Sequence, residues 1–352
     1  MRTWPIWATV PLTDDRTANE QTGRVTTAVP FRVLSVDEAT TRLTAPTVDL
    51  DIGALRDLPL LVVDDAHLLP PEAATSLARL PIVSIGLAAP GSAPIFDVLV
   101  DNAVDAAGIA NGIADTPRAA LACCQVLRHG EGLDTAAGLL LESTAYGTLQ
   151  GGTEFARWLE AQGRRVRPAE AEAPVLVEAD GDTVTLTLNR PRLRNAFSAA
   201  MRDALVEALR PLTAPGDSRQ ILLVGNGSAF CCGGDPAEFG TVADPAAAHL
   251  IRSSANAAPW LDRLADRLTV RVHGPAVGAG IELAAFAGRL EATASATFSL
   301  PEVSMGLMPG AGGTVSIPRR IGRQMTARMC LTGTTINAAA ALDYGLVDAI
   351  VE

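Results

Sequence analysis

The stretch RVHGPAVGAGIELAAFAGRLEATASATFSLPEVSMGLMPGAGGTVSIPRRI, residues 271–321, carries the most chemical information in the chain. Its pattern predicts a buried strand, a glycine-rich turn, a short helix, a second strand and a second glycine-rich turn. Glu282 lies in the first turn of the helix, after Gly278-Ala279-Gly280, and Glu302 follows the second strand. These two carboxylates are the strongest catalytic candidates in the sequence.

The residue types around both carboxylates explain this choice. Small residues at 276–280 let the backbone approach a ligand closely, and the first N–H groups of a helix have no intrahelical partners. Such N–H groups can stabilise an oxygen that gains negative charge. Pro301 cannot continue a sheet ladder, so the chain turns directly before Glu302. Two carboxylates beside one oxyanion site favour acid–base chemistry next to a carbonyl.

A dinucleotide site is the main competing interpretation of a glycine-rich turn between a strand and a helix. The glycines here follow the order G-x-x-x-G-x-G, whereas dinucleotide sites use G-x-G-x-x-G early in a βαβ unit. The sequence therefore disfavours nucleotide binding of this kind.

Five motifs occur in order along the second half: TVTLTLNRPRLRNAFSAAMRDALVEAL, GNGSAFCCGGDPAEF, GPAVGAGIELA, FSLPEVSMGLMPGAGGT and LTGTTINAAAALDYGLVDAIVE. In these motifs, residues 175–352 resemble the enoyl-CoA hydratase/isomerase, or crotonase, superfamily. The resemblance implies an α/β fold for this half, the crotonase (ClpP-like) spiral of β-β-α units. It also implies subunits that associate as trimers or hexamers.

The resemblance assigns roles to individual residues. Glu282 and Glu302 correspond to the two catalytic carboxylates, and Gly234 and Ala279 to the two oxyanion N–H donors. Contacts with the substrate and its CoA moiety are implied for Arg192, Arg194, Ala196, Gly233, Asp235, Gly278, Gly310 and Gly312. No cofactor or metal is implied, since CoA is part of the substrate.

The two glutamates are 20 residues apart, which matches the hydratase pattern of this superfamily. The implied reaction is addition of water across the double bond of a 2-enoyl-CoA. Isomerisation, thioester hydrolysis and decarboxylation on the same scaffold stay open. A non-catalytic subunit that binds acyl-CoA or assists assembly is the alternative from another class of protein.

The charge and cysteine content narrow the cellular context. A formal net charge of −11 disfavours binding to nucleic acid or to an anionic membrane. The five cysteines lack the spacing of a metal site or a disulfide framework, which suits a reducing cytoplasm. We find no signal peptide and no apolar run long enough for a transmembrane helix, so the sequence predicts a cytoplasmic protein.

The first half predicts a second α/β region, residues 1–170, ahead of the 175–352 domain. LPLLVVDD, PIVSIGLAAPG and IFDVLVD indicate buried strands, PPEAATSLARL a helix, and VPFRVLSV and TVDLDI edge strands. We interpret residues 58–165 as a degenerate partial copy of the crotonase core that lacks the catalytic glutamates.

The sequence of residues 105–165 predicts helices, and these resemble the C-terminal helices of the same superfamily. Because the chain ends at DYGLVDAIVE without such helices, we expect residues 105–165 to fold over the core formed by 175–352, within one chain or between subunits. RPAEAEAPVLVEADGD, residues 167–182, is the predicted linker between the two regions.

Overall fold

The structure is a computed structural model that describes residues 31–48, 58–163 and 172–352. Within these residues, no helix combines the length and the apolar character that crossing a membrane requires. The segment TVDLDI, one of the two predicted edge strands, lies largely outside the described residues.

The first half forms a parallel sheet of four strands in the order β1-β2-β3-β4. The strands are β1 (Val33–Leu34), β2 (Leu60–Val63), β3 (Val83–Leu87) and β4 (Val98–Val100). Helices α1 (Val36–Leu43) and α2 (Pro71–Arg79) connect the first three. The continuous apolar runs predicted these strands correctly because both faces of the sheet are covered. VPFRVLSV supplies the edge strand β1, as expected.

Four helices follow this sheet: α3 (Ala103–Asp115), α4 (Pro117–Gly130), α5 (Thr135–Gln150) and α6 (Thr153–Gln162). Their starts follow from local chemistry. The Asn102 side chain accepts the Val104 and Asp105 N–H groups at the start of α3, and Pro117 occupies the first position of α4. These helices confirm the helical prediction for residues 105–162, the part of the predicted segment 105–165 that they cover.

The second half contains a sheet of six strands in the order β13-β10-β8-β7-β6-β5. Its members are β5 (Val175–Asp180), β6 (Thr183–Leu188), β7 (Gln220–Gly225), β8 (Leu268–Val272), β10 (Arg289–Thr293) and β13 (Ala349–Val351). Only the β5–β6 pair is antiparallel. Helices α7 (Ala199–Leu209), α8 (Pro245–Ser254) and α9 (Ala258–Arg263) lie between β6 and β8 in the chain.

A smaller sheet of three strands, β12-β11-β9, stands beside the larger one. It consists of β9 (Pro275–Val277), β11 (Thr297–Ser299) and β12 (Ile336–Asn337). Helix α10 (Ala279–Ala284) follows β9, the long helix α11 (Gly313–Thr332) precedes β12, and α12 (Ala338–Asp343) follows it. This smaller sheet positions both candidate catalytic glutamates.

Three sequence predictions for this half were wrong in detail. The predicted linker 167–182 contains β5, which pairs with β6 through its backbone. In the motif TVTLTLNRPRLRNAFSAAMRDALVEAL, the helical spacing of Met201, Leu205 and Leu209 predicts a helix that begins at Asn195. Helix α7 begins instead at Ala199, because Arg194 and Asn195 have positive φ and Ser198 caps the helix. After α10 the chain forms two strands, β10 and β11, where the sequence predicted one.

The helices of the first half pack against the second half, as predicted, and they do so within one chain, which is one of the two arrangements that the sequence left open. Helix α4 packs against α11, and α5 packs against both α8 and α11. A Cβ atom at Gly138 would lie 2.8 Å from Val315 Cγ2, so α5 and α11 approach closely. One hydrophobic cluster includes residues from both halves. The division into two domains and the degenerate-copy hypothesis stay predictions.

A buried ion pair connects α4 to the four-stranded sheet. The Arg128 guanidinium donates to both oxygens of Asp97 (2.6 and 3.1 Å) and to three backbone carbonyls, those of Ala78, Leu80 and Ile82. Both side chains of the pair are almost completely buried. Loss of one partner of such a pair is costly, because it leaves a buried charge poorly compensated.

Arg128→Met should therefore destabilise the protein by about 3–5 kcal/mol, because it removes the guanidinium that bonds both oxygens of the buried Asp97 carboxylate and leaves Arg323, 3.9 Å away, as the remaining counter-charge. The free energy of unfolding in urea measures this loss. Arg118→Met is the matched control, since Arg118 is 69% exposed beside Glu154, and it should cost less than about 1 kcal/mol. Equal losses in the two variants would contradict the assignment.

Candidate active site

A turn between β9 and α10 brings Glu282 into the interior. Gly278 adopts a φ of 49°, which favours glycine, and its N–H donates to the Ser299 carbonyl at 3.0 Å. Helix α10 begins at the next residue, and Glu282 lies in its first turn, 2% exposed. The Ala279 N–H is the first of the helix and therefore has no intrahelical acceptor.

The second glycine-rich turn holds the Glu282 carboxylate. Ala311 and Gly313 donate their N–H groups to Glu282 Oε2 at 2.7 and 2.9 Å. This turn is also the start of the 20-residue helix α11, whose N-terminus favours a nearby negative charge. The turn thus stabilises the ionised form of Glu282.

Glu302 approaches the same space from the end of β11. It begins the short 3₁₀ turn Glu302–Met305, directly after Pro301. Its Oε1 lies so close to Gly278 that a Cβ atom there would stand 2.1 Å away. Its Oε2 is buried and has no hydrogen-bond partner in the described structure. A carboxyl group in this setting is better accommodated with a proton than without one.

Gly234, the other candidate N–H donor, forms a backbone bridge to Phe197. The two hydrogen bonds of that bridge are made by the Gly233 carbonyl and the Asp235 N–H, at 2.7 and 3.0 Å. The Gly234 N–H takes no part in the bridge and is available to a ligand. Gly234 and Ala279 both line the cavity that also contains the two glutamates.

This cavity has a volume of about 240 Å³. Besides the four residues already named, it is lined by Tyr146, Gln150, Phe197, Ser198, Ala199, Arg202, Asp235, Glu238, Phe239, Arg252, Ala255, Asn256, Ala257, Leu283, Gly310 and Ala311. The structure therefore brings together both carboxylates and both N–H donors that the sequence singled out, in one partly apolar cavity.

Burial and mutual repulsion shift the titration of the carboxylates. Burial raises the pKa of Glu302 to about 7, with a contribution from the nearby Glu142 carboxylate. Burial also raises the pKa of Glu282 well above its usual value; Glu302 and Glu142 add to the rise, and the two N–H donors oppose it. Because the glutamates repel each other, they titrate as a coupled group that retains a proton near neutral pH.

Three residues of the site were missed by sequence reasoning: Glu142, Tyr146 and Arg252. Glu142 and Tyr146 are on α5, and Arg252 is on α8. Arg252 stacks on the Tyr146 ring, 4.6 Å from its centroid, and burial lowers its pKa. Burial raises the pKa of the Tyr146 phenol, so the ring is neutral. One signal was available, since Glu142 is the only charged residue in the sequence of α5.

The residues implied to contact CoA are more scattered. Gly310 lines the cavity, and the Gly312 N–H donates to Glu142. Arg192 and Arg194 are exposed and lie outside the cavity lining. Ala196 is buried, and its carbonyl accepts a hydrogen bond from the Arg190 guanidinium. The Asp235 carboxylate pairs with the same guanidinium at 2.9 Å. Gly233 and Gly278 form the turns around the cavity.

The cysteines beside the Gly234 loop do not form a reactive centre. Burial raises the pKa of Cys231 to about 12 and also raises that of Cys232. Both thiols therefore stay protonated at neutral pH. Across the described ranges, no group of three or more His, Cys, Asp or Glu side chains is arranged to bind a metal ion.

An α/β fold with paired N–H donors and two buried carboxylates on one cavity defines a class of acid–base enzymes that act beside a carbonyl. Comparison with known proteins narrows this class, because residues 178–352 match the family profile of enoyl-CoA hydratase/isomerase. The 2,3-dehydroadipyl-CoA hydratase of Escherichia coli (strain K12) is 34% identical and aligns over 49% of this chain and 67% of its own length. The (E)-benzylidenesuccinyl-CoA hydratase of Thauera aromatica is 32% identical and aligns over 51% of this chain and 70% of its own length. The chain belongs to the enoyl-CoA hydratase/isomerase family.

One further relative is covered less completely. The enoyl-CoA isomerase/hydratase fer4 of Mycosarcoma maydis is 34% identical, over 46% of this chain and 63% of its own length. The chain thus spans less than two thirds of that relative. Among solved structures, a putative enoyl-CoA hydratase from Thermobifida fusca YX in complex with acetoacetyl-CoA is 29% identical, with a TM-score of 0.47 over 51% of this chain and 74% of the other.

The contact between Gly278 and Glu302 gives a test of the site's geometry. Gly278→Ala should destabilise the protein by more than the roughly 1–2 kcal/mol of a positive φ alone, because the new methyl group must displace the Glu302 carboxylate. Gly181→Ala is the matched control, with a φ of 55° and open space around it. Urea denaturation of both variants measures the difference, and equal losses would show that Glu302 is not packed against Gly278.

Proposed function

We propose that this protein is an enoyl-CoA hydratase, which adds water across the 2,3 double bond of an enoyl thioester. The observation that supports the proposal best is the pairing of Glu282 and Glu302 on one cavity with the Gly234 and Ala279 N–H groups. Isomerisation needs a single carboxylate to move a proton, whereas hydration uses one group for the water and another for the α-carbon. Two buried carboxylates therefore favour hydration.

The oxyanion donors lower the barrier for both half-steps. When water adds to C3, the π electrons of the double bond move toward the thioester carbonyl and form an enolate. The Gly234 and Ala279 N–H groups donate to the oxygen that gains this charge. Removal of one such donor typically raises the barrier by about 3 kcal/mol.

The hydrogen bonds of the carboxylates suggest which one is the base. Burial and the neighbouring carboxylates raise the pKa of Glu282 as well, so the hydrogen bonds decide the assignment within the coupled pair. Glu282 accepts two N–H groups, which favours its ionised form, and we therefore assign it the proton of the attacking water. Glu302 has a buried oxygen without a partner and a pKa raised to about 7, so it carries the proton that goes to C2. After one turnover Glu282 holds a proton and Glu302 has lost one, and transfer through solvent in the cavity restores the starting state.

The substrate and assembly belong to the same proposal. Relatives that are named for CoA thioester substrates make an acyl-CoA the expected substrate, and CoA enters as part of it with no separate cofactor. We place the nucleotide of CoA near the exposed Arg192 and Arg194, which can pair with phosphate. Self-association as a trimer or hexamer is proposed on family grounds.

Removal of either carboxylate should abolish most hydration. We expect Glu282→Gln and Glu302→Gln each to lower kcat on crotonyl-CoA by roughly 100- to 10,000-fold, because an amide cannot transfer the proton. The loss of enoyl-thioester absorbance measures the rate. Glu238→Gln, which changes another carboxylate of the same cavity, should retain activity within a few-fold. A variant at 282 or 302 with wild-type kcat would refute the assignment.

The pH dependence follows from the shifted pKa values. Since Glu302 must hold a proton and its pKa is raised to about 7, kcat/KM for crotonyl-CoA should fall as the pH rises above about 7. Glu282 must be ionised, so the rate should also fall on the acid side, and the two limbs belong to the coupled pair. A rate that increases steadily up to pH 9 would contradict the role of Glu302.

A further inference from the structure

Four successive backbone N–H groups at the start of α11 are divided between two buried carboxylates. Those of Ala311 and Gly313 donate to Glu282, at 2.7 and 2.9 Å. Those of Gly312 and Thr314 donate to Glu142, at 2.8 and 2.9 Å, and the Thr314 hydroxyl adds a third bond at 2.7 Å. The turn is therefore held from two sides by alternate residues.

In this arrangement the orientation of the Glu282 carboxylate depends on Glu142. The Glu282 carboxylate is oriented by N–H groups of the turn, and no side chain of the second half holds the two intervening N–H groups. Glu142 is 2% exposed and reaches the turn from α5, a helix of the first half. If the Gly312 and Thr314 N–H groups lost their acceptor, the turn could rotate and the Glu282 oxygen would move with it.

A buried carboxylate that accepts these N–H groups carries a large desolvation penalty. Burial raises the pKa of Glu142 to about 7, and its hydrogen bonds to Thr314 and Gly312 only partly offset that rise. A neutral serine or asparagine can cap a helix without this desolvation penalty. The negative charge therefore has a consequence that a neutral cap would not have, and that consequence is the repulsion felt by Glu282 and Glu302.

We propose that Glu142 is a positioning residue of the active site, which fixes the turn at 311–314 and so aims the Glu282 carboxylate into the cavity. The first half of the chain then completes the site rather than only covering it. This inference rests on the proposed function for the reaction it serves, but the geometry it invokes does not depend on which thioester is bound.

The charged and titratable groups around Glu142 are few. Tyr146 lies one turn further along α5, and Arg252 faces it from α8. Glu282 and Glu302 face it from α10 and from the turn after β11. His249, also on α8, bonds Ser143 at 2.8 Å. Of these groups, Glu282 and Glu302 are the carboxyl groups whose pKa is raised, as that of Glu142 is.

The test compares Glu142→Gln with Glu154→Gln. Glu154 is the matched control because it is also a buried glutamate of the first half that caps a helix, accepting the Arg118 and Ala119 N–H groups of α4 at 3.0 Å each. Both variants replace a capping carboxylate with an amide. Only Glu142 touches the turn that holds Glu282.

Two readouts separate positioning from a structural role. The first is the titration of the glutamate carboxyls by NMR on protein labelled with ¹³C at Glu Cδ, assigned with Glu282→Gln and Glu302→Gln. Glu142→Gln should lower the apparent pKa values of the Glu282–Glu302 pair by roughly half a unit to one unit, since it removes a neighbouring negative charge. Glu154→Gln should leave them unchanged.

The second readout is the rate on crotonyl-CoA. Glu142→Gln should lower kcat by roughly 10- to 100-fold with little change in KM, because the reacting group is misplaced while the substrate still binds. Its pH–rate profile should shift to lower pH. Glu154→Gln should keep the wild-type profile.

An unchanged carboxyl titration in Glu142→Gln, or equal effects of the two variants, would overturn the proposal. If Glu142→Gln does not fold, Thr314→Val replaces it in the test. Loss of the Thr314 hydroxyl bond raises the pKa of Glu142, so Glu142 carries less negative charge and the apparent pKa values of the Glu282–Glu302 pair should fall by a smaller amount. An unchanged titration of the pair in this variant would overturn the proposal. A wild-type protein without hydratase activity refutes the proposed function alone, since the NMR titration still decides the role of Glu142.

Discussion

The start of α11 is the constraint on which the rest of the site depends. Its four N–H groups at 311–314 need acceptors, and two buried carboxylates, Glu282 and Glu142, supply them alternately. Each carboxylate is tolerated inside the protein because it receives N–H donors at a helix N-terminus. The same contacts bring the second half's catalytic candidate and the first half's helices to a single turn.

The helices α3–α6 therefore do more than cover a hydrophobic surface. They form one continuous core with the second half, and α5 contributes Tyr146 to the wall of the cavity as well as Glu142 beneath it. Arg252 of α8 strengthens this junction, since it donates to Ser143 and Gln150 of α5 while it stacks on Tyr146. The cavity consequently belongs to both halves of the chain.

Much of the candidate site could be predicted from the sequence because its parts lie in local patterns. Gly278, Glu282 and Glu302 stand at the ends of short strands or in the first turn of a helix, where residue type alone indicates the conformation. Glu142 could not be predicted in this way, because its partner Gly312 is 170 residues away and the contact exists only after the halves pack. The wrongly placed start of α7 has a local cause, the positive φ of Arg194 and Asn195, which their residue types do not reveal.

The proposal that the cavity adds water to C3 of an enoyl thioester is measured most directly by mass spectrometry of the products after incubation of crotonyl-CoA in H₂¹⁸O. Hydration should give 3-hydroxybutyryl-CoA with one ¹⁸O atom at C3. Two products would contradict the proposal: butenoyl-CoA isomers without ¹⁸O would indicate an isomerase, and free CoA with ¹⁸O in a released acid would indicate a thioester hydrolase.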